Sequence, residues 1–311
     1  MNNPSSPPAD HPAPPGIDTH EQAKEVAQGQ RFEFGQNWSQ FLKVLSDDRI
    51  VQAETSLKDF LDVPDLHGKR FLDIGSGSGL FSLAARRLGA AVYSFDYDPQ
   101  SVACTQELRR RFFPDDPDWR VEEGSALDEG YLKTLGRFDV VYSWGVLHHT
   151  GAMWPALGNA APLVAPGGSL YIAIYNDQGR ASRQWTAVKK AYNRLPSRLK
   201  FLVLWPAFLR LWGPTLLRDA AKGRPLASWR NYDGVRGMSP WRDVVDWVGG
   251  YPFEVATPEA IFEFFRRRGF DLKQMTTCAG GHGCNEFAFV NARPEDNTRT
   301  EDNTRTEDNL R

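Results

Sequence analysis

The run Asp73-Ile-Gly75-Ser-Gly77-Ser-Gly79-Leu80 holds the residues best placed for chemistry. Glycines at alternate positions let the backbone turn sharply and let a ligand approach without meeting a Cβ. A dinucleotide fingerprint, Gly-x-Gly-x-x-Gly, needs its third glycine where the helix begins under the pyrophosphate. Counted from Gly75 that position is Leu80, and counted from Gly77 it is Ser82. Neither frame fits. Asp73, just before the loop, also has the wrong sign for a pyrophosphate and the right one for a cation. A second carboxylate, Asp96, lies 23 residues further on at the end of another apolar run. There it can accept both hydroxyls of a ribose, as the acidic residue of dinucleotide folds does. Asp98 is the weaker rival for that role.

Two histidines, His148 and His149, follow a third apolar run. A side chain that titrates near neutrality suits proton removal from a nucleophile. Packing, or capping of the next helix, is the plainer use of either one. Tyr175 and Asn176 end a further run and can position a substrate by hydrogen bonds or simply close a strand. Cys278 and Cys284, with His282 between them, have no common zinc spacing and no second ligand pair. No metal is expected, and Gly280-Gly-His-Gly283 reads as a turn.

These residues need a frame in which apolar runs alternate with helices. The runs are Arg70–Ile74, Ala91–Phe95, Trp119–Glu123, Phe138–Ser143 and Ser169–Tyr175. Helical stretches run from Leu80 to Leu88 and from Pro99 to about Arg111. Strands separated by helices predict a parallel, doubly wound α/β sheet. A later helix, Pro258 to Arg268, precedes two closing strands near Asp271–Thr277 and Glu286–Asn291.

Four segments in order carry a resemblance: Leu72-Asp-Ile-Gly-Ser-Gly-Ser-Gly79, Phe95-Asp-Tyr-Asp-Pro99, Phe138 through His149, and Leu163-Val-Ala-Pro-Gly-Gly168. Together they resemble the successive motifs of class I S-adenosylmethionine-dependent methyltransferases, closest in flavour to the ubiquinone-biosynthesis O-methyltransferase branch. The likeness covers residues 65–176 well and 257–291 loosely. It implies a Rossmann-like methyltransferase fold, a doubly wound, seven-stranded, mostly parallel sheet with its last strand antiparallel. It implies S-adenosyl-L-methionine as cofactor, whose sulfonium and ammonium agree in sign with Asp73. Asp73, Gly75 and Gly77 would contact its methionine part and Asp96 its ribose, with Gly79 and Trp144 completing the set. One departure stands out, because the family often places an acidic residue after the glycine that follows the third strand. Here Ser125 follows Gly124, so the adenine contact falls to Ser125 or to backbone groups.

The connection after the fifth strand is far longer than an ordinary loop, running from Asp177 to Ala256. It carries six of the ten Trp, and between Arg180 and Arg224 eleven Lys or Arg face a single acid, Asp219. Its run Phe201–Leu209, interrupted by Pro206, is too short to span a bilayer. A basic, Trp-rich helix can lie on a membrane surface or close a pocket for a lipophilic acceptor; a lid with a solvated basic face is the plainer alternative. The arm Arg31–Trp38, with Phe32 and Phe34, reads as a second lid that expels water or packs on the sheet.

The chain therefore divides into a disordered segment 1–20, a helical lid 21–64, a cofactor-binding core 65–176, a helical cap insertion 177–256, the rest of the core 257–292 and a disordered repeat tail 293–311. Three Cys in 311 residues do not make a disulfide framework, and no basic-then-apolar leader is present. A cytoplasmic protein is expected, with peripheral membrane contact through 180–224. The expected function is methyl transfer to an oxygen of a small, apolar or glycosylated acceptor. Nitrogen or sulfur acceptors, RNA methylation, and a non-catalytic membrane- or partner-binding module are the alternatives. RNA is the weaker partner, because no Asn/Asp-Pro-Pro-Tyr/Phe motif follows the fourth strand.

Overall fold

The computed structural model describes residues 19–35, 38, 42, 45–232 and 240–293. Apart from residues 19, 20 and 293, the two segments expected to be disordered lie outside that set. Helices α1 (Thr19–Ala27) and α2 (Asp47–Leu61) precede β1 (Arg70–Ile74), α3 (Leu80–Arg87), β2 (Ala91–Asp96), α4 (Pro99–Phe112) and β3 (Trp119–Glu123). Next come α5 (Glu129–Leu135), β4 (Phe138–Trp144), α6 (Met153–Ala160) and β5 (Val164–Tyr175). A group of four helices follows: α7 (Arg180–Arg194), α8 (Phe201–Ala221), α9 (Ala227–Arg230) and α10 (Pro240–Gly249). The chain closes with α11 (Pro258–Arg266), β6 (Phe270–Thr276) and β7 (Cys284–Asn291).

The seven strands form one sheet in the order β3-β2-β1-β4-β5-β7-β6. The pairs among β1 to β5 are parallel, and β7 runs antiparallel to both β5 and β6. Strand order reverses between β1 and β4, so their C-terminal ends open a crevice there, where such sheets bind ligands. The period-2 alternation of each strand separates two cores. Leu72, Ile74, Val141, Ile172 and Ile174 point to one, with Phe265 and Phe289. Phe71, Val140, Tyr142, Tyr171 and Ala288 point to the other, where α2 and α3 pack. Local signals start the helices: Asp98 accepts from the Gln100 amide at 2.9 Å, Asp128 from the Tyr131 amide at 2.9 Å, and Pro follows both Asp98 and Thr257.

The helices between β5 and α11 have an apolar centre of their own, Tyr192, Ala207, Val244 and Val248, with Val203, Leu204, Phe208 and Trp212 packed on it. Pro206 interrupts the apolar run but not the helix, because α8 continues for 21 residues through Pro206 and Pro214. Each proline removes one backbone bond, and burial of Val203, Ala207 and Phe208 against α7 and α10 offsets that loss. Most of the Trp side chains here pack on aromatic neighbours, with ring centroids 5.8 Å apart for Trp205–Trp241 and 4.9 Å for Trp212–Trp229. Phe201, Leu202, Trp205, Leu209 and Leu217 stay exposed along α8. Among the described residues no helix is long and apolar enough to cross a membrane.

Phe265 on α11 is fully buried, with its ring 4.9 Å from that of Phe289 and 5.6 Å from that of Phe270. Phe265→Ala should lower unfolding free energy by about 3–5 kcal/mol, the usual cost of emptying an aromatic core site. Urea denaturation measures it, and a loss under about 1 kcal/mol would show that β6 and β7 do not depend on this contact.

Candidate functional site

The crevice at the strand switch is a cavity of about 1030 Å³. Pockets for single ligands usually hold roughly 300–1,000 Å³, so this one has room for two small molecules side by side. Its floor is the end of β1 and the loop that follows. Gly75 (φ +77°) and Gly77 (φ +56°) are left-handed. A Cβ on Gly75 would fall 2.3 Å from Val146 Cγ1, so only glycine lets this loop meet the one after β4. The turn brings the Gly77 amide to Asp96, to which it donates at 2.9 Å.

Asp73 is buried, and its carboxylate accepts from the Ser82 hydroxyl at 2.5 Å. Ser82 bonds Ser94 at 2.8 Å, and the Trp119 indole N–H donates to Ser94 at 3.1 Å, so the carboxylate is anchored through two further strands. Burial raises the Asp73 carboxyl from 3.8 to about 7, with the Ser82 bond opposing and the nearby Asp96 adding to the rise. Burial likewise raises Asp96 to about 6, against the amides of Asp98 and Gly77. Among the described residues neither group pairs with a cation, and a ligand that brought one would favour their charged forms. Asp98 is occupied otherwise, because it caps α4 and accepts the Gly35 amide at 2.9 Å. Eight carboxylates and two guanidinium groups, Arg31 and Arg49, line the cavity among the described residues. The field therefore favours a cation.

The two histidines part company. His148 is fully buried and does not line the cavity; its Nδ1 accepts the Tyr175 amide at 3.4 Å and its ring lies 4.0 Å from that of Tyr175. His149 lines the cavity, and its Nδ1 lies 2.5 Å from the carbonyl oxygen of Pro252. A carbonyl only accepts, so Nδ1 carries the proton and Nε2 is left as the basic nitrogen. Asp73, Gly75, Gly77, Asp96, Ser125, Trp144, His149 and Tyr175 all line the cavity. Gly79 instead starts α3, packed where a Cβ would lie 2.8 Å from Thr105 Cα. Asn176 bonds Gly281 and Asn285 and ties down the turn before β7. Ser125 accepts the Leu127 amide at 3.2 Å. Among the described residues no cluster of His, Cys, Asp or Glu has the makings of a metal site.

A strap of chain covers the mouth. Arg31 donates to the carbonyls of His149 (3.0 Å) and Thr150 (3.5 Å), pairs with Glu25 at 2.6 Å, and stacks over Tyr97. The Phe32 amide bonds Tyr251 at 2.8 Å, and the Phe34 ring lies 4.9 Å from that of His149. Trp38 stands over Gly77, 3.1 Å from where its Cβ would be. Behind the mouth, Lys189 of α7 is wholly buried among Trp247, Phe253 and Tyr175, its Nζ 4.5, 4.6 and 6.0 Å from their ring centres. It donates to the Trp247 carbonyl, and burial lowers it to about 7 although Asp246 opposes the fall. Arg49, Asp246, Glu286 and Lys189 were not picked out from the sequence as site residues. Only the spacing of Arg49, Ala53 and Ser56 along α2, four and then three residues apart and so on one face of a helix, points to any of them.

A family model described as a methyltransferase domain matches residues 47–204, just over half of the chain. The ubiquinone biosynthesis O-methyltransferase of Xanthomonas oryzae pv. oryzae (strain PXO99A) is 29% identical over 189 residues, 58% of this chain and 70% of that protein. The protein of the same name from Escherichia coli O139:H28 is 31% identical over 118 residues, 37% of this chain and 47% of that one. Among solved structures, magnesium protoporphyrin IX methyltransferase from Synechocystis PCC 6803 with bound SAH superposes over 78% of this chain and 82% of its own, at 15% identity and a TM-score of 0.45.

The two raised carboxyls give the ligand-free protein a pH signature. Their folded-state values exceed the unfolded one, so the stability they contribute is complete below about pH 3.8 and is lost as pH rises through about 6 and about 7. Thermal unfolding at intervals between about pH 5 and 8 should show Asp73→Asn declining less than the parent. A decline as steep as the parent's would remove the buried Asp73 charge as the cause.

Proposed function

The chain belongs to the methyltransferase-domain family and uses S-adenosylmethionine, and we propose that it methylates an oxygen of a small-molecule acceptor with His149 as the proton-accepting base. The observation that carries this reading is the fixed tautomer of His149 at the wall of a cavity whose floor is two buried carboxylates. The donor set fits the cofactor in kind and charge. Asp96 suits the ribose diol, Asp73 the ammonium, Arg49 or Arg31 the carboxylate, and Ser125 the adenine edge, with Gly75 and Gly77 keeping the floor clear of side chains. When bound, S-adenosylmethionine supplies an electrophilic methyl group on a sulfonium.

The chain's own residues supply the rest. Nε2 of His149 takes the acceptor proton as the oxygen attacks, and the Pro252 carbonyl steadies the imidazolium that results by holding Nδ1–H. Tyr175 and Trp144 flank the acceptor at the ends of β5 and β4. The strap from Arg31 to Phe34 excludes water, which strengthens the electrostatic contacts beneath it. His148 acts through packing, holding Tyr175 against its ring and taking its amide. The names of the relatives support oxygen as the acceptor atom; nitrogen and sulfur acceptors would use the same base.

A second surface supports peripheral membrane contact. Phe201, Leu202, Trp205 and Leu209 are exposed on α8 beside Lys200 and Arg210, the mix of apolar burial and positive charge that anionic lipid attracts.

Calorimetric titration should show S-adenosylmethionine binding far more tightly than NAD. Asp96→Ala should weaken it by about 1.5–3 kcal/mol, the range for losing hydrogen bonds to a charged group, and Asp98→Ala should cost less. The reverse order would move the ribose site to Asp98. His149→Ala should reduce turnover by about 10²–10⁴ with cofactor affinity nearly unchanged; turnover within about twofold of the parent would rule out the base. Co-sedimentation with anionic vesicles should weaken with salt and with Trp205→Ala, and a protein that never pellets would leave the α8 strip without this partner.

A further inference from the structure

Resting on the methyltransferase reading above, we infer that the acceptor is a neutral, hydroxyl-rich ring such as a sugar, bound between Trp144 and Glu286. The sheet register defines the space. Trp144 pairs with Ala173 and Ala173 with Glu286, so the two side chains rise from the same sheet face at one level, two strands apart. At about 4.8 Å per strand that is a gap of about 10 Å, wide enough for one six-membered ring. Both line the cavity, and the cofactor loop after β1 lies beyond Trp144 on the side away from Glu286.

Polar groups stand on the Glu286 side of the gap. The Tyr171 hydroxyl donates to Glu286 Oε2 at 2.7 Å, which fixes the carboxylate from below. Burial and the Glu286 charge both raise the Tyr171 hydroxyl, so it stays a donor. Among the described residues no cation pairs with Glu286, and its Oε1 is left to accept from a ligand. Ser56 and Gln52 line the cavity from α2, and Asp246 from α10. Carboxylates accept from hydroxyls, while an indole face covers the C–H face of a ring. An anionic acceptor would meet the Glu286 and Asp246 charges, against Arg49 and an Arg31 already engaged by Glu25 and two carbonyls.

The insertion adds little for a lipophilic acceptor. From the whole insertion between β5 and α11, Asp246 is the sole contributor to the cavity wall among the described residues. The insertion's tryptophans pack on other side chains instead. A long apolar tail therefore gains no channel from the element that sequence reading assigned to it.

Saturation-transfer NMR tests this on the full chain saturated with S-adenosylhomocysteine, with calorimetry confirming that this product is bound. The probes are the methyl α-glycosides of glucose, mannose and rhamnose, with catechol as the apolar comparison. Transfer to at least one glycoside is expected, with affinity about tenfold weaker in Glu286→Gln and S-adenosylhomocysteine binding retained. Tyr171→Phe, which frees the carboxylate but keeps its charge, should weaken it less and serves if Glu286→Gln does not fold. Transfer to catechol alone, no transfer to any glycoside, or glycoside affinity unchanged in both variants overturns the proposal. Failure to bind S-adenosylhomocysteine would instead sink the cofactor assignment beneath it.

Discussion

Two carboxylates are held out of water at the ends of neighbouring strands, and nearly every feature around the cavity serves to keep them there. Burial raises the proton affinity of both Asp73 and Asp96, and a neighbouring carboxylate adds to each rise, Asp96 for Asp73 and Asp98 for Asp96. Left alone they would take up protons or pull in solvent. The glycine loop answers for Asp96, because only a left-handed turn points the Gly77 amide back at it. A relay of two serines and an indole answers for Asp73, tying it to α3, β2 and β3 at once. The site is thus an arrangement of donors around negative charge with a place kept for one positive ligand.

The parts of this arrangement that depend on chain-local geometry were legible in the sequence. Strand ends, the loop between β1 and α3, the acidic residue after β2 and a parallel α/β sheet follow from period and turn chemistry, whereas the count of seven strands and the antiparallel last one came from the family resemblance. The rivalry between Asp96 and Asp98 was local too, although only the structure shows Asp98 engaged with the Gln100 and Gly35 amides. Contacts between distant segments were not legible. Neighbouring histidines look alike in sequence, and a carbonyl 103 residues away distinguishes them. Lys189 counts in sequence as one of eleven basic residues on a solvated face, yet it is the one driven among aromatic rings. No periodicity of α7 announces that, because the rings come from α10, β5 and the segment before α11.

The insertion shows why composition alone misleads about substrate. Six tryptophans suggest an apolar pocket, but a helical group with few long-range anchors must first build a centre for itself. Most of its aromatic residues pack within it, and among the described residues the cavity receives only an acid, Asp246. Polar groups on α2, β5 and β7 line the cavity, while the insertion shapes the mouth through Trp247, Tyr251 and Phe253, around Tyr175.

The segment Arg31–Gly35 lies between two bodies that the sequence presents as separable. Phe32 packs on Gly249 so closely that a Cβ there would fall 2.2 Å from its ring, while two residues further on Phe34 meets His149 and then Gly35 meets Asp98. Core and insertion are consequently interlocked by a third party from near the start of the described chain. Grafting the insertion onto another core, or trimming it away, would strip one side of that segment and loosen the other with it. Substitutions inside the fixed assembly keep the lock, whereas exchanging its parts as modules would dismantle it.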